Sequence, residues 1–489
     1  MQRPKNCPPI LPCSHLLNRR DLLRLGSLSI AATLVPTEWA TAESDQKRDQ
    51  KLPATAPAGR ATADSVIFLW MGGGVTHIDS FDPKPSAPEQ IRGTLKAIST
   101  VLPGVQFGEP MSRLARIADQ LCLVRSFSHD SNDHLLSQAY TLSGRKVTMA
   151  QLFAEPNLGS VVSRLQGPRN GLPGYLAVPG ITRPGPPPYN LFVGGWLGTG
   201  YAPFCLGGIP EQPDFTVGEK SPNPSSYSAE DLQPRDLQLP DELSSGRVNS
   251  RLRLHERLDA IRRSLDAPSQ SEVQRLQYEG AAKLLTAPAV RAAFDLSVES
   301  SETQADYGFT KIGRRCLMAR RLVESGARFV MIDYGYDPDY GNLWDNHNAA
   351  GQNFPHISEM CLRGYHLAGT DRACAALIGD LKQRGLLERT LVVFLTEFGR
   401  TPTINAAGGR DHWGMCGSIF FAGGGVNAGQ VIGVSDEQAA WPITTPWGPA
   451  DIAATVYTAL GISLDTRLPD QFGRPHPVID HGQVISGVF

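Results

Sequence analysis

The chain has 489 residues, 41% of them hydrophobic, ample for a large buried core. Lys and Arg number 46 against 48 Asp and Glu, a formal net charge of -2, and no basic stretch is interleaved with aromatics. That balance gives no electrostatic reason to expect a nucleic acid as partner.

In chain order, the first segment reads as an address. Asn18-Arg19-Arg20-Asp21-Leu22-Leu23 resembles the twin-arginine export signal, and an apolar run at 25–35 follows. That run is too short to span a bilayer. Ala40-Thr41-Ala42 supplies the small-x-small pattern of a cleavage site. The expectation is a signal peptide over 1–42, a polar linker over 43–63 and a periplasmic or extracellular mature chain without a transmembrane segment. The twin-arginine route carries folded cargo, often loaded with a cofactor first, which favours a metal. Cys7 and Cys13 go with the leader. The six remaining cysteines are scattered with no C-x-x-C, against a zinc knuckle and compatible with one or two disulfides.

The mature chain opens with Ser65-Val66-Ile67-Phe68-Leu69-Trp70 running into Gly72-Gly73-Gly74, a fully buried strand with a glycine-rich exit. Further strands are expected at 121–124, 328–333, 390–395 and 419–422. Helices at 311–325 and 366–384 precede the third and fourth. Buried strands alternating with amphipathic helices argue for an α/β fold, a mostly parallel sheet sandwiched by helices. Residues 145–305 break the pattern with Pro- and Gly-rich loops and two helical segments, 247–266 and 270–287. They are expected as an inserted loop and helical cap on a domain spanning 64–489.

Polar clusters follow the strand-like runs, where ligands of such sheets gather. They are His77-Ile78-Asp79 with Asp82, His129 to His134, Asp345-Asn346-His347, and Glu397 and Arg400 with Arg410-Asp411-His412. Residues two apart in an extended segment share a face, so His77 pairs with Asp79 and Asp345 with His347. Imidazole nitrogen with carboxylate oxygen suits a divalent ion. A hydrogen-bonded polar rim is the structural alternative. No G-x-S-x-G, H-E-x-x-H or Walker lysine is present.

Several stretches resemble the alkaline phosphatase and sulfatase superfamily. Thr390-Leu391-Val392-Val393-Phe394-Leu395-Thr396-Glu397-Phe398-Gly399 is similar to its strand and metal-ligand turn. Asp411-His412-Trp413-Gly414 is similar to its later ligand histidine, and Asp451-Ile452-Ala453-Ala454-Thr455 to its closing helix. Within that superfamily the chain resembles the exported domain of unknown function family 1501. The carrying residues are the Arg19-Arg20 pair, His77-x-Asp79-x-x-Asp82-Pro83-Lys84-Pro85, Trp344-Asp345-Asn346-His347 and Glu397-Phe398-Gly399-Arg400-Thr401-Pro402.

The resemblance implies a metal-dependent hydrolase of phosphate or sulfate esters, acting on a small-molecule or glycan anionic ester. The implied ligands are His77, Asp79, Asp345, His347, Glu397 and His412, around zinc, manganese, calcium or magnesium. Arg400 and Arg410 are expected to clamp the anion. The departures point to a reduced site. Gly72 and Gly73 stand where the superfamily has a metal-binding Asp, and Phe398 replaces a His. Counting back from Gly144, the nucleophile register falls on His134, neither hydroxyl nor thiol. His134 is then a metal ligand, alone or with His129, a base for a metal-activated water, or the direct nucleophile. The rival reading is a binding or scaffold protein that kept the fold and lost the chemistry.

Overall fold

The computed structural model describes residues 60–180, 191–207 and 288–489 apart from 338, 349–351 and 353, with isolated positions between 232 and 254. The expected signal peptide, nearly all of the linker and almost all of the helical segments at 247–266 and 270–287 lie outside the described residues.

Eight strands form the main sheet: β1 (Ser65–Trp70), β2 (Leu121–Phe127), β3 (Tyr175–Val178), β4 (Phe204–Cys205), β5 (Phe329–Asp333), β6 (Thr390–Leu395), β7 (Gly417–Ala422) and β8 (Gln430–Ile432). Their order is β8-β2-β7-β6-β1-β5-β3-β4. β1 runs parallel to β5 and β6 at the centre, with Ile67 opposite Val330 and Val392. Only β7 breaks the direction, antiparallel to both β6 and β2. The carboxyl ends of β1, β2, β5 and β6 therefore open on one edge.

Unbroken apolar strands need cover on both faces, since alternate residues point to opposite sides. Ile67 and Leu69 enter one core with Val392, Phe394, Val330 and Ile332. Val66, Phe68 and Trp70 enter the other with Leu391, Val393, Phe329 and Met331. The principal helices are α1 (His134–Ser143), α2 (Leu158–Gln166), α3 (Lys311–Glu324), α4 (Leu367–Gln383) and α5 (Pro449–Ala459). α3 and α4 cover the first face through Ile312, Cys316, Cys374 and Leu377. α1, α2 and α5 cover the second through Leu135, Val161, Ile452 and Val456. The expected architecture, a mostly parallel sheet sandwiched by helices, is what the chain forms. Among the described residues no helix is long and apolar enough to cross a membrane.

The structure departs from the sequence expectation within 145–305. That stretch supplies β3 and β4, and β3 pairs in parallel with β5, Leu176 opposite Val330. It is thus partly sheet rather than wholly excursion. Four apolar residues between Pro- and Gly-rich loops carry no readable period, so the sequence does not announce a strand there.

Candidate metal centre

Each wall of the centre has a local cause. β6 ends at Leu395, and Glu397 is carried into the interior two residues later. β1 exits into Gly73, whose N–H donates to Glu397 Oε1 and Oε2, both at 2.7 Å. Gly73 has φ +129°, and a Cβ there would sit 2.9 Å from Trp344 Cβ and 3.1 Å from Asp345 N. Only glycine lets the three segments approach this closely.

Asp345 follows Trp344, whose indole Nε1–H is anchored on Tyr334 O at 2.6 Å. Asn346 Nδ2 donates to Leu343 O (2.9 Å) and its Oδ1 accepts from His366 Nε2–H (2.9 Å), which locks the Asp345 loop. After β2, Asp133 caps α1 by accepting the Leu136 N–H at 2.9 Å, so His134 begins the helix. A short antiparallel pair, Gly399–Arg400 with His412–Trp413, sets Arg400 opposite His412. Cross-strand partners share a face. Both reach Asp345 Oδ1, Arg400 Nη2 at 2.9 Å and His412 Nε2 at 3.0 Å.

His134 Nε2 approaches the same oxygen at 3.2 Å. His134, Asp345 and His412 each present one donor atom within 4.8 Å of the others. The protonation pattern gives this convergence its meaning. His134 Nδ1 faces Glu397 Oε1 at 2.9 Å, and His412 Nδ1 faces the Asn132 carbonyl at 3.0 Å. Ionised carboxylates and carbonyls only accept, so with an ion on the Nε2 side both rings would keep their proton on Nδ1. Both Nε2 atoms face Asp345 Oδ1, and with no ion present a proton bridges the gap. A divalent ion among the three atoms would take that proton's place. Their 3.0–3.2 Å spacing approaches the ~3.3 Å between donors of a tetrahedral ion with ~2.0 Å bonds.

The electrostatics agree. Burial pushes the His134 imidazole towards the neutral form, but the Asp345 and Glu397 carboxylates outweigh it and raise its pKa to about 9. Burial raises the Asp345 carboxyl, yet His134, His347 and His412 hold it well below the usual range. Burial lowers His412, and the nearby Arg400 and His134 charges add to that. Without an ion, the cluster attracts positive charge.

The remaining expected residues divide. His347 Nε2 lies 3.5 Å from Asp345 Oδ2 with its side chain 34% exposed, on the open rim. Glu397 touches His134 but not the converging atoms. His77 is buried elsewhere, with Nε2 2.8 Å from Ala439 O. Asp79 pairs with Arg410, Oδ2 to Nε at 2.8 Å, and both side chains are fully buried. Arg410 also donates to the Thr401, Pro402 and Ile91 carbonyls, which commits all five of its N–H groups. Arg400 donates to the Gly73, Gly74 and Arg410 carbonyls besides Asp345. The structure thus makes both arginines internal braces. Sequence reasoning did not single out Gln138, whose Nε2 donates to Glu397 Oε1 at 3.2 Å, or the Asn132 carbonyl. Backbone acceptors carry no sequence signal. Phe398 stands 5.1 Å from the His134 ring and 5.0 Å from His412, an apolar wall where the superfamily pattern has a ligand.

His366, which supports this loop through Asn346, is fully buried, and burial pushes its pKa down to about 3. Between pH 6.5 and 3 the unfolded chain takes up a proton here and the native chain does not, so stability falls with falling pH. Between pH 7 and 5 this group removes about 2 kcal/mol. Urea unfolding at the two pH values is expected to show a smaller loss in His366→Gln. An unchanged loss in that variant overturns the assignment.

The chain matches, over residues 63–489, the family model described as "Protein of unknown function (DUF1501)". It belongs to the DUF1501 family. No curated protein matches it. Among solved structures, Ps i-CgsB in complex with k-i-k-neocarrahexaose aligns with this DUF1501 chain at TM-score 0.36 and 11% identity, covering 82% of this chain and 72% of its own. The lipoteichoic acid synthase LtaP from Listeria monocytogenes aligns at TM-score 0.32 and 10% identity, over 85% and 76%. The phosphonate monoester hydrolase SpPMH from Silicibacter pomeroyi aligns at 0.34 and 10%, over 82% and 74%. Likeness at this level carries no argument about activity.

Proposed function

We propose that this DUF1501 protein is a metal-dependent hydrolase of phosphate or sulfate esters, acting outside the cytoplasm on a small-molecule or glycan ester. The observation that supports it is the convergence of His134 Nε2, Asp345 Oδ1 and His412 Nε2, with His134 Nδ1 facing Glu397 and His412 Nδ1 facing the Asn132 carbonyl on the far sides. Two imidazoles and one carboxylate suit zinc or manganese better than calcium or magnesium, which take oxygen ligands. A divalent ion there supplies Lewis acidity towards an ester oxygen and towards water.

The chain's own residues do the rest. Asp345 is steadied by Arg400, Phe398 excludes water from beneath the imidazoles, and His347 stands on the exposed side to hydrogen-bond the ester. Ser137, nearest the expected nucleophile register, donates its hydroxyl to Ser131 Oγ at 2.8 Å. In this reading water is the attacking group. The commitment of all Arg410 donors to the fold favours the rival, a scaffold without chemistry, by removing an anion clamp. A metal assay with a panel of aryl phosphates and sulfates separates the two. The hydrolase reading expects turnover without a Ser- or Cys-linked adduct by intact mass, and activity in the fraction outside the cytoplasm. It also expects His134→Ala to lose more than about 100-fold, beyond the loss typical of an outer-shell partner, with Ser137→Ala near wild type. An adduct on Ser137, or a folded protein that binds no metal, sinks it.

A further inference from the structure

His134 is flanked by two carboxylates that face different nitrogens. Asp345 Oδ1 lies at Nε2, 3.2 Å away, and Glu397 Oε1 lies at Nδ1, 2.9 Å away. The two nitrogens of an imidazole point away from each other, so a group hydrogen-bonded to one cannot share an ion with the other. Glu397 is also heavily engaged. Its oxygens accept from the Gly73 N–H, Gln138 Nε2–H and His134 Nδ1–H, and the residue is fully buried. A carboxylate offers about four lone-pair sites, and these three donors engage most of them, with Oε1, the oxygen nearest His134, taking two donors of its own and a share of the third.

The geometry points to Glu397 as a positioning residue: it holds His134 as the Nδ1–H tautomer and turns Nε2 towards the ion, and it is not itself a ligand. This rests on the metal-centre reading and changes the ligand set expected from the superfamily resemblance. The strand-end carboxylate is withdrawn by one shell. Gly73, where that pattern has a ligand Asp, instead lends Glu397 a backbone donor. A histidine whose far nitrogen is tied to a carboxylate is a stiffer and more basic ligand, and loss of such a partner typically lowers metal affinity about 10–100-fold.

The test uses the full mature chain, stripped of metal and titrated with cobalt(II), whose visible bands report coordination number and geometry. Wild type is expected to bind one ion. Glu397→Gln, which still accepts from His134, is expected to give the same band positions with affinity lowered about 10–100-fold. His412→Ala is expected to change the bands or abolish them. Altered bands in Glu397→Gln, or loss of binding as complete as in His412→Ala, overturn the positioning role while leaving the metal centre standing. A wild-type chain that binds no cobalt(II) or zinc overturns both. A second measurement needs no variant: nitrogen-15 correlation spectra of the zinc-loaded, histidine-labelled chain. The His134 ring is expected to carry its proton on Nδ1, and zinc at Nδ1 refutes the inference even if Glu397→Gln fails to fold.

Discussion

Asp345→Asn is expected to strip the divalent ion from the protein and to abolish ester hydrolysis with it. Asp345 is the carboxylate on which His134, His412 and His347 converge, and the one Arg400 braces. The amide keeps the shape but removes the negative charge at the converging atoms, and Glu397 stays on the far nitrogen of His134 where it cannot replace it. Ion affinity should fall more than about 100-fold, beyond the 10–100-fold typical of an outer-shell partner. Elemental analysis after dialysis reads this directly against about one ion per wild-type chain. The fold should survive, because Arg400 retains the Gly73, Gly74 and Arg410 carbonyls. His347→Ala is the control. Its ring stands on the exposed rim, and its loss should cost less than about tenfold in affinity. An Asp345→Asn protein that keeps its ion through dialysis refutes the centre.

The second large effect falls on stability. Asp79→Ala is expected to destabilise the protein by about 3–5 kcal/mol, the usual cost of leaving a buried charge uncompensated. Arg410 and Asp79 are both fully buried, joined by contacts of 2.8 and 3.1 Å. Thr76 Oγ1 adds a third bond to Asp79 Oδ2 at 2.6 Å. Chemical denaturation measures the loss, and metal content of the folded fraction is the discriminating readout. A bracing role leaves the ion in place, whereas a ligand role removes it at little cost in stability. Asp79→Leu combined with Arg410→Met should recover much of the loss, because an apolar pair has no charge to strand.

The sequence by itself determined the sheet centre. β1, β5, β6 and β7 are apolar on every residue or nearly so, and such runs are stable only where both faces are covered. It also determined that polar residues gather just past those strands, because a strand's buried side chains end where its carboxyl edge meets solvent. Asp345 was marked by its pairing with His347, and His412 by the resemblance of Asp411-His412-Trp413-Gly414 to a ligand-histidine stretch. What the sequence does not separate is His77-x-Asp79 from Asp345-x-His347, which have the same residue types at the same spacing after a buried strand. Tertiary structure decided between them. The Arg410 guanidinium comes to rest against Asp79 and neutralises it, while Asp345 is left facing three imidazoles. His134 entered the centre because the Asp133 cap starts α1 beside Glu397, a contact across 263 residues that no local spacing encodes. Glu397 reached the same ring from the opposite nitrogen, and which side of an imidazole a carboxylate meets depends on how separate strands pack, not on the order of residues within either.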